Sequence, residues 1–290
     1  MRRLVVCLFA LAFLLVAAAT AGAAPAPGTP AATANLHGVG GTVPYAGGWA
    51  IPLKAATPSW FTPELAARVH AAAPTPVALP NDAPLPSEIG IRPGSWMLSP
   101  AGCTMNFVFR SGTNFAIGSA GHCTSVGDPV VLVTLAPGTA NPVLVEIGTT
   151  TISHNNGIGD DFSLTPINPV LNSWVSPTMS VVAGPCGAYT GSGPETVFHY
   201  GHGLGIGTGG TPRAGVALSW QAAAFGWDGE GIFGDSGSAV RVGTGLQAAG
   251  DLTHLVVDTA WVPSFIVGTR IGKIQQIAGG WSLVSSPLCI

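Results

Sequence analysis

The pattern of apolar and polar positions changes near residue 96, and from there on it is typical of short β-strands. Short apolar runs recur, separated by segments rich in Gly, Pro, Asn and Ser, which favour turns. The one helical signal in this part of the chain covers residues 272–277. We therefore predict an all-β structure with strands over residues 105–109, 114–119, 130–133, 143–147, 196–200, 215–218, 237–240, 246–252 and 264–267.

The first residues follow a different pattern. Two arginines precede an apolar run over residues 4–19, and small residues follow it. This is the layout of a secretory signal peptide, and the last small residues match the small-x-small cleavage rule. The run is shorter than the about 20 apolar residues of a transmembrane helix, and no later segment is long and apolar enough to span a bilayer. We predict a signal peptide over residues 1–23, cleaved after Ala23.

Residues 24–95 are rich in Ala, Pro and Gly, and most of them lack strand alternation. One short helix is expected, with Thr62 as its N-cap, Pro63 at its first position and an apolar face reaching Val69. Pro74 ends it. From its residues alone, this region is a disordered stalk or linker.

Charge and composition narrow the class of function. The chain has 10 Lys and Arg against 13 Asp and Glu, a formal net charge of −3, so it lacks the basic excess of a nucleic-acid-binding protein. Charged residues make up 8% of the chain and hydrophobic residues 47%, with 41 Gly and 25 Pro. This balance suits a secreted all-β protein with many turns.

The cysteines agree with secretion. Cys7 leaves with the signal peptide, and an even number remains, which indicates two disulfides in an oxidising compartment. Three pairings are possible from the sequence. A metal site is not expected, because there is no Cys-x-x-Cys pair and the close pair His199 and His202 has no obvious third ligand. The remaining cysteines are Cys103, Cys123, Cys186 and Cys289.

Three motifs carry the candidate chemistry, and they occur in the order His, Asp, Ser. They are Ala-Gly-His-Cys ending at Cys123, Asp-Asp-Phe-Ser-Leu starting at Asp160, and Gly-Asp-Ser-Gly-Ser starting at Gly234. A serine hydroxyl needs a base to take its proton and a carboxylate to orient that base. Glycines beside the serine allow the tight turn that presents backbone N–H groups to an oxyanion.

With these motifs the chain resembles the chymotrypsin (trypsin-like) superfamily of serine endopeptidases, and most of all its secreted bacterial, streptogrisin-like branch. The likeness covers residues 96–290 and includes Gly-Asp-Leu-Thr-His ending at His254, which resembles the substrate-pairing strand of the family. It implies two antiparallel six-stranded β-barrels, over about residues 96–172 and 179–290, and a short C-terminal helix. It also implies that residues 24–95 are a propeptide, so that the chain is made as a zymogen; the linker remains the alternative.

The resemblance assigns roles to the triad. Ser236 is the nucleophile, His122 the general base and then acid, and Asp161 the carboxylate that orients it. Asp160 competes for the last role, but the family places the acid directly before an apolar strand. The same Gly-x-Ser-x-Gly pattern marks α/β-hydrolases, whose order is Ser, acid, His, and only one histidine follows Ser236.

Further roles follow from the same resemblance. The N–H groups of Gly234 and Ser236 form the oxyanion hole, and Asp235 pairs with a buried cation. No suitable new N-terminus is found for that cation. His199 stands near the position where the bacterial branch has a basic residue, and a surface role for His199 is equally open. The family pattern also implies the disulfides Cys103–Cys123 and, with it, Cys186–Cys289.

Specificity is assigned by position. The residue six before the nucleophile, Glu230, lies at the base of the specificity pocket in the resembling family, with Ser264 facing it, and a carboxylate there favours Lys or Arg. A small apolar preference is the alternative, because Leu255 stands where a glycine often opens the pocket. Acid specificity through His254 is a third. The substrate-binding residues are expected to be Glu230, Thr253, His254, Leu255 and Ser264.

Together these features predict a secreted, monomeric serine endopeptidase that acts on protein or peptide substrates through an acyl-enzyme intermediate. No cofactor, metal, nucleic acid or membrane partner is expected. Two alternatives belong to other classes: a catalytically inactive, protease-like binding module, and an esterase. The intact triad argues against the first, and the peptide-pairing strand against the second.

Overall fold

A computed structural model describes residues 41–203 and 210–289, and the predicted signal peptide over residues 1–23 lies outside the described residues. The described chain is mostly β-strand, which confirms the predicted all-β class. Its N-terminal part contains β1 (Val43–Tyr45), β2 (Gly48–Pro52), α1 (Pro63–Ala72) and β3 (Val77–Ala78).

The first barrel closes around a core of alternating apolar side chains, among them Met97, Ile117, Leu132 and Val145. Successive strands pair antiparallel, as their turns of Gly, Pro and Asn favour. The N–H of Asn168 donates to the Ile147 carbonyl at 2.7 Å and joins the end of β11 to β9. The strands are β4 (Trp96–Ser99), β5 (Ala101–Thr104), β6 (Val108–Ser111), β7 (Asn114–Ser119), β8 (Pro129–Leu135), β9 (Pro142–Thr149), β10 (Ile152–Asn155) and β11 (Asp161–Pro166).

The second barrel has its own core, in which Phe225, Trp227, Val240 and Ile266 are fully buried. Burying side chains of this size stabilises by about 1.5–3 kcal/mol each. A bridge between Gly250 and Arg270 closes the circuit. Its strands are β12 (Glu195–Gly201), β13 (Thr211–Trp220), β14 (Ala224–Gly229), β15 (Ala239–Val242), β16 (Ala248–Asp251), β17 (His254–Val257) and β18 (Pro263–Thr269), followed by α2 (Ile271–Ala278) and β19 (Ser282–Leu283).

Strand order agrees with two six-stranded barrels. In the first, β11, β7, the continuous β6–β5 segment, β4, β8 and β9 are neighbours in that order, with β10 outside β11. In the second, β18, β14, β13, β12, β15 and β16 follow one another, and β17 adds to β18. Helix α2 packs its buried Ile271 and Ile274 against Phe109 and Phe162 of the first barrel, so it ties the two halves together.

The N-terminal part pairs with both barrels. The β1–β2 hairpin adds to β17 at the edge of the second sheet, and β3 pairs with β9 of the first. Helix α1 buries Leu65 and Val69 against Leu98 and Val131 of the first barrel. The Thr62 hydroxyl accepts from the Leu65 N–H at 3.3 Å, which confirms the predicted helix start and cap.

Candidate active site

His122 lies in a 3₁₀ turn, Gly121–Cys123, directly after β7. The turn is held on one side by the Cys103–Cys123 disulfide. On the other side, a Cβ at Gly121 would lie 1.7 Å from the His154 carbonyl oxygen, so only glycine fits there. The backbone on both sides of His122 is therefore held in place by its neighbours.

The structure brings His122, Asp161 and Ser236 together into one hydrogen-bonded chain. His122 Nδ1 lies 2.6 Å from Asp161 Oδ2, and His122 Nε2 lies 2.7 Å from Ser236 Oγ. The His122 backbone N–H also donates to Asp161 Oδ1 at 2.9 Å. All three side chains are buried. This geometry lets a proton pass from the serine hydroxyl to the imidazole while the carboxylate holds the ring.

Asp161, and not Asp160, supplies the carboxylate of this series of hydrogen bonds, as the sequence predicted. Burial alone would raise the pKa of Asp161, but the charge and hydrogen bonds of His122 outweigh it and lower that pKa. The Thr269 hydroxyl donates to the Asp161 carbonyl at 3.0 Å and fixes its backbone. Asp160 instead lies near the surface, 3.1 Å from His154 Nδ1.

The N–H groups of Gly234 and Ser236 converge on one carbonyl oxygen, that of Leu53, at 2.5 and 3.3 Å. The φ angle of Gly234 is +106°, a backbone conformation that side chains with a Cβ rarely adopt. A Cβ there would also lie 2.4 Å from the His202 carbonyl oxygen. The two donors predicted from the sequence thus form a cradle that holds a peptide carbonyl.

The cation that pairs with Asp235 is Arg213, not His199. Arg213 Nη1 lies 2.9 Å from Asp235 Oδ2 and also donates to Oδ1 at 3.0 Å, with both side chains buried. His199 is not at the surface either: it is 1% exposed, and its Nε2 lies 2.9 Å from the Glu230 carbonyl oxygen. Arg213 comes from β13, the neighbour of the β12 strand that carries His199.

Burial lowers the pKa of His199, against the opposing charge of Asp235. A neutral imidazole cannot neutralise a buried carboxylate, whereas a guanidinium stays charged. This explains why Arg213 takes the position. The sequence signal for it is a single charged residue in the otherwise uncharged strand β13.

Both disulfides implied by the resemblance are present, Cys103–Cys123 and Cys186–Cys289. The second joins the start of the second half to the C-terminus across a sequence separation of 103. The Cys186–Cys289 disulfide therefore holds the segment that follows α2 against the start of the second half of the chain.

The expected substrate-pairing residues lie beside the triad, and the N-terminal segment of the chain is paired with them. The Thr253 carbonyl accepts from the Leu53 N–H at 3.1 Å. His254 and Leu255 lie opposite Pro52 and Ile51 in the antiparallel register of β2 and β17. These three residues of the candidate site therefore accommodate an extended peptide backbone.

The structure places Glu230 and Ser264, the two expected pocket residues, at the surface. Both are exposed, and Ser264 borders a surface cavity with Trp227 and Asp228. Leu53, which is 1% exposed, packs instead into the apolar core of the second barrel. A Cβ at Gly231 would lie 2.9 Å from Ile266 Cδ1 and 3.0 Å from Leu53 Cδ1, so Ile266 and Leu53 both contact this glycine.

His254 borders the triad. Its ring centroid lies 5.4 Å from that of His122, and its Nδ1 lies 3.7 Å from Asp161 Oδ2, too far for a hydrogen bond. Burial lowers the pKa of His254 to about 4, because the Asp161 carboxylate offsets it only in part. The ring is therefore neutral near pH 7 and adds no charge to the site.

Two groups of residues have metal-ligand chemistry within the described ranges, and neither is free to bind. The sulfurs of Cys103 and Cys123 are joined in a disulfide. In the other group, His122 and Asp161 already bind each other, beside His254. Among residues 41–203 and 210–289, no helix is long and apolar enough to cross a membrane.

No protein-family model matches the chain, and no curated protein matches it. Solved structures do resemble it. Protease A of Thermobifida fusca is 20% identical and covers 68% of this chain and 98% of its own, with a TM-score of 0.46. A chymotrypsin of Cellulomonas bogoriensis is 17% identical, covers 68% and 97%, and has a TM-score of 0.46.

A third similar structure is a glutamic acid specific serine protease that uses a histidine triad in substrate binding. It is 14% identical, covers 67% of this chain and 100% of its own, and has a TM-score of 0.49. At these identities and TM-scores, no residue role or specificity carries over to this chain. The function is therefore inferred from the geometry of the site.

Proposed function

We propose that this protein is a secreted serine endopeptidase whose triad is His122, Asp161 and Ser236. One observation carries the proposal: the triad hydrogen-bond chain ends at a serine whose own N–H, with that of Gly234, holds a peptide carbonyl oxygen. Acyl transfer needs a nucleophile, a base and an oxyanion site in this relative arrangement.

In the proposed reaction, His122 Nε2 takes the Ser236 hydroxyl proton while Oγ attacks the carbonyl carbon of the scissile bond. Asp161, held ionised by its contacts with His122, stabilises the imidazolium that forms. The N–H groups of Gly234 and Ser236 stabilise the oxyanion. His122 then protonates the leaving amine, and water hydrolyses the acyl-enzyme to restore the serine.

A peptide substrate is favoured over a simple ester by the edge of the second barrel. β17 accepts an antiparallel strand along its length, with residues 49–52 of the chain in that position. Backbone pairing of this kind recognises an extended peptide regardless of most of its side chains. An inactive binding module would not need the triad relay, so the intact hydrogen-bond chain favours an enzyme.

Secretion is part of the proposal. It is supported by the signal-peptide pattern over residues 1–23 and by the two disulfides, which form and persist outside the cytosol. We propose residues 96–290 as the protease domain and part of the region before it as a propeptide, because residues 49–53 lie in the candidate cleft. We also propose that the protein is a monomer and that its substrates are proteins or peptides.

A fluorophosphonate probe tests the triad directly, because it phosphonylates an activated serine and leaves ordinary ones unmodified. The secreted protein should react once per chain, and peptide mass mapping should place the adduct on Ser236. Denaturation before labelling should abolish the reaction. Labelling at another serine, with Ser236 unmodified, would contradict the proposed nucleophile.

A further inference from the structure

The N-terminal segment crosses the candidate cleft as an extended peptide. Before Leu53, β2 pairs with β17 from Trp49 opposite Val257 to Pro52 opposite His254. The stacked rings of Trp49 and Trp261, with centroids 5.8 Å apart, add to this contact. The segment therefore occupies the strand position proposed for a substrate.

The backbone contacts of Leu53 are those expected of the residue that precedes a scissile bond. Its N–H donates to the Thr253 carbonyl, and its carbonyl oxygen accepts from the N–H groups of Gly234 and Ser236. The carbonyl carbon of the Leu53–Lys54 bond is thus held where the Ser236 hydroxyl would attack.

Beyond the bond, the chain remains fixed on the other side of the cleft. Ala55 and Gly102 exchange two backbone hydrogen bonds, of 2.8 and 3.1 Å. Lys54 Nζ donates to the His122 carbonyl at 3.3 Å. Since the chain is paired on both sides of the Leu53–Lys54 bond, that bond is oriented across the triad.

We propose that the protein cuts its own chain between Leu53 and Lys54; this inference rests on the proposed function. The Ser236 Oγ bonds to the Leu53 carbonyl carbon as its proton passes to His122 Nε2. The Leu53–Lys54 C–N bond breaks, and the Lys54 nitrogen takes that proton. Water then hydrolyses the ester, leaving a carboxylate on Leu53, an amine on Lys54 and a free Ser236 hydroxyl.

The mature chain then begins at Lys54 rather than near residue 96. Residues 54–95 remain with the first barrel, because α1 buries Leu65 and Val69 there and β3 pairs with β9. Glu88 Oε2 and His202 Nε2, 2.6 Å apart and both buried, join this region to the second barrel. Among the described residues before Leu53, strand pairs form only within β1–β2 and with β17, so after cleavage the upstream segment would contact the molecule at the same edge that a substrate uses.

The same contact defines a substrate class. The Leu53 side chain lies in an apolar pocket beside Gly231 and Ile266, and Glu230 is exposed. Burying a charged side chain there without a partner costs several kcal/mol. The enzyme therefore prefers leucine or a side chain of similar size and polarity before the cut, which agrees with the apolar alternative from the sequence and not with the basic one.

The test compares the secreted wild-type chain with the Ser236→Ala variant by intact mass and N-terminal sequencing. The wild type should begin Lys-Ala-Ala-Thr, from Lys54, and the variant should stay uncut at this bond. Cleavage should follow first-order kinetics that do not depend on protein concentration. In a mixture, the wild type should not cut the variant here, because the variant's segment stays in its own cleft.

Leu53→Glu should slow cleavage on the order of 100-fold, because it places a charge in the apolar pocket. Leu53→Met should leave the rate within a few-fold, since size and polarity are kept. The matched control is Leu85→Glu, at a leucine that is 66% exposed, and it should leave cleavage unchanged. Equal rates for Leu53→Glu and wild type would overturn the pocket assignment.

Hydrolysis of added casein separates the two proposals. Casein hydrolysis by a wild-type chain that does not begin at Lys54 would overturn self-cleavage and leave the proposed function standing.

If the wild-type chain is uncut and does not hydrolyse casein, the Gly48→Leu variant distinguishes an inhibited enzyme from an inactive protein. A Cβ at Gly48 would lie 2.0 Å from the Val257 carbonyl oxygen, so the leucine should push β2 off β17. Activity in that variant would make the segment an uncut inhibitor; an inert variant would overturn both proposals.

Discussion

At the scale of single residues, the ion pair of Arg213 and Asp235 holds the loop that carries both N–H groups of the proposed oxyanion hole. Asp235 Oδ2 also accepts from the Ile232 N–H at 3.0 Å, so the carboxylate fixes the loop at two points. Because both side chains are buried, the loss of one partner leaves the other charge without compensation.

We expect Arg213→Met to destabilise the protein by about 3–5 kcal/mol, the range for breaking a buried pair. Urea unfolding at pH 7.5 measures this, in a Ser236→Ala background that prevents proteolysis. Arg68→Met, at an exposed arginine, is the matched control and should change stability by at most about 0.5 kcal/mol. A loss below about 1 kcal/mol for Arg213→Met would contradict the pairing.

The buried His254 predicts a pH dependence of stability. Its pKa is lowered to about 4 in the folded protein, mainly by burial, whereas an unfolded histidine titrates near 6.5. Below pH 6.5 the unfolded chain binds a proton that the folded chain does not, so stability falls as the pH decreases from about 6.5 to 4. The stabilisation is fully present above pH 6.5.

The His254→Asn variant removes this contribution. Between pH 7.5 and 4, the Ser236→Ala parent should lose roughly 3 kcal/mol more stability than the same protein with His254→Asn. Urea unfolding at several pH values measures the difference between the two curves. Parallel curves would contradict a neutral buried His254.

The triad could be predicted from the sequence because each member lies in a local motif whose glycines and cysteine fix the backbone around it. Arg213 could not, because its contact with Asp235 depends on which strand lies beside β12. The resemblance places Glu230 at the pocket only by its distance from Ser236 in the sequence, and no local feature determines where its side chain points. The structure exposes it, which avoids the cost of burying an unpaired carboxylate among apolar side chains.

At the scale of elements, the short strands and both helices follow from local patterns. β16 and α2 lie at Ala248–Asp251 and Ile271–Ala278, close to the predicted 246–252 and 272–277. β1 and β2 could not be predicted, because they are short and contain Gly and Pro. They form because the edge of β17 offers unpaired backbone groups. Since β17 lies about 200 residues further along the sequence, no pattern in the residues around β1 and β2 predicts this pairing.

The N-cap of helix α1 can be tested by substitution of Thr62. Thr62→Ala removes the hydroxyl that accepts from the Leu65 N–H and should cost about 1 kcal/mol of stability. Thr113→Ala, in the exposed turn between β6 and β7, is the control and should stay within about 0.5 kcal/mol of the parent. Urea unfolding in the Ser236→Ala background measures both, and equal stabilities would contradict the capping role.

At the scale of the whole molecule, the site exists only because two barrels meet. His122 and Asp161 come from the first barrel and Ser236 from the second, and the Thr104 hydroxyl bonds to the Gly234 carbonyl across the junction at 2.8 Å. The arrangement of two barrels could be predicted only from the order of the three motifs. The alternation of apolar and polar residues predicts strands, but it does not determine which strands pair to close a barrel. The N-terminal segment passes through the cleft at the same junction, which is the arrangement that the proposed self-cleavage requires.

Turnover of casein by Ser236→Ala tests the central claim most directly. Triad members act as one unit, so the loss of Ser236 should reduce the rate by on the order of 10⁴ to 10⁶ relative to wild type. Ser238→Ala is the matched control, because the buried Ser238 hydroxyl has no hydrogen-bond partner in the described part of the chain, and it should hydrolyse casein at close to the wild-type rate. If purified Ser236→Ala hydrolyses casein within tenfold of wild type, Ser236 is not the nucleophile.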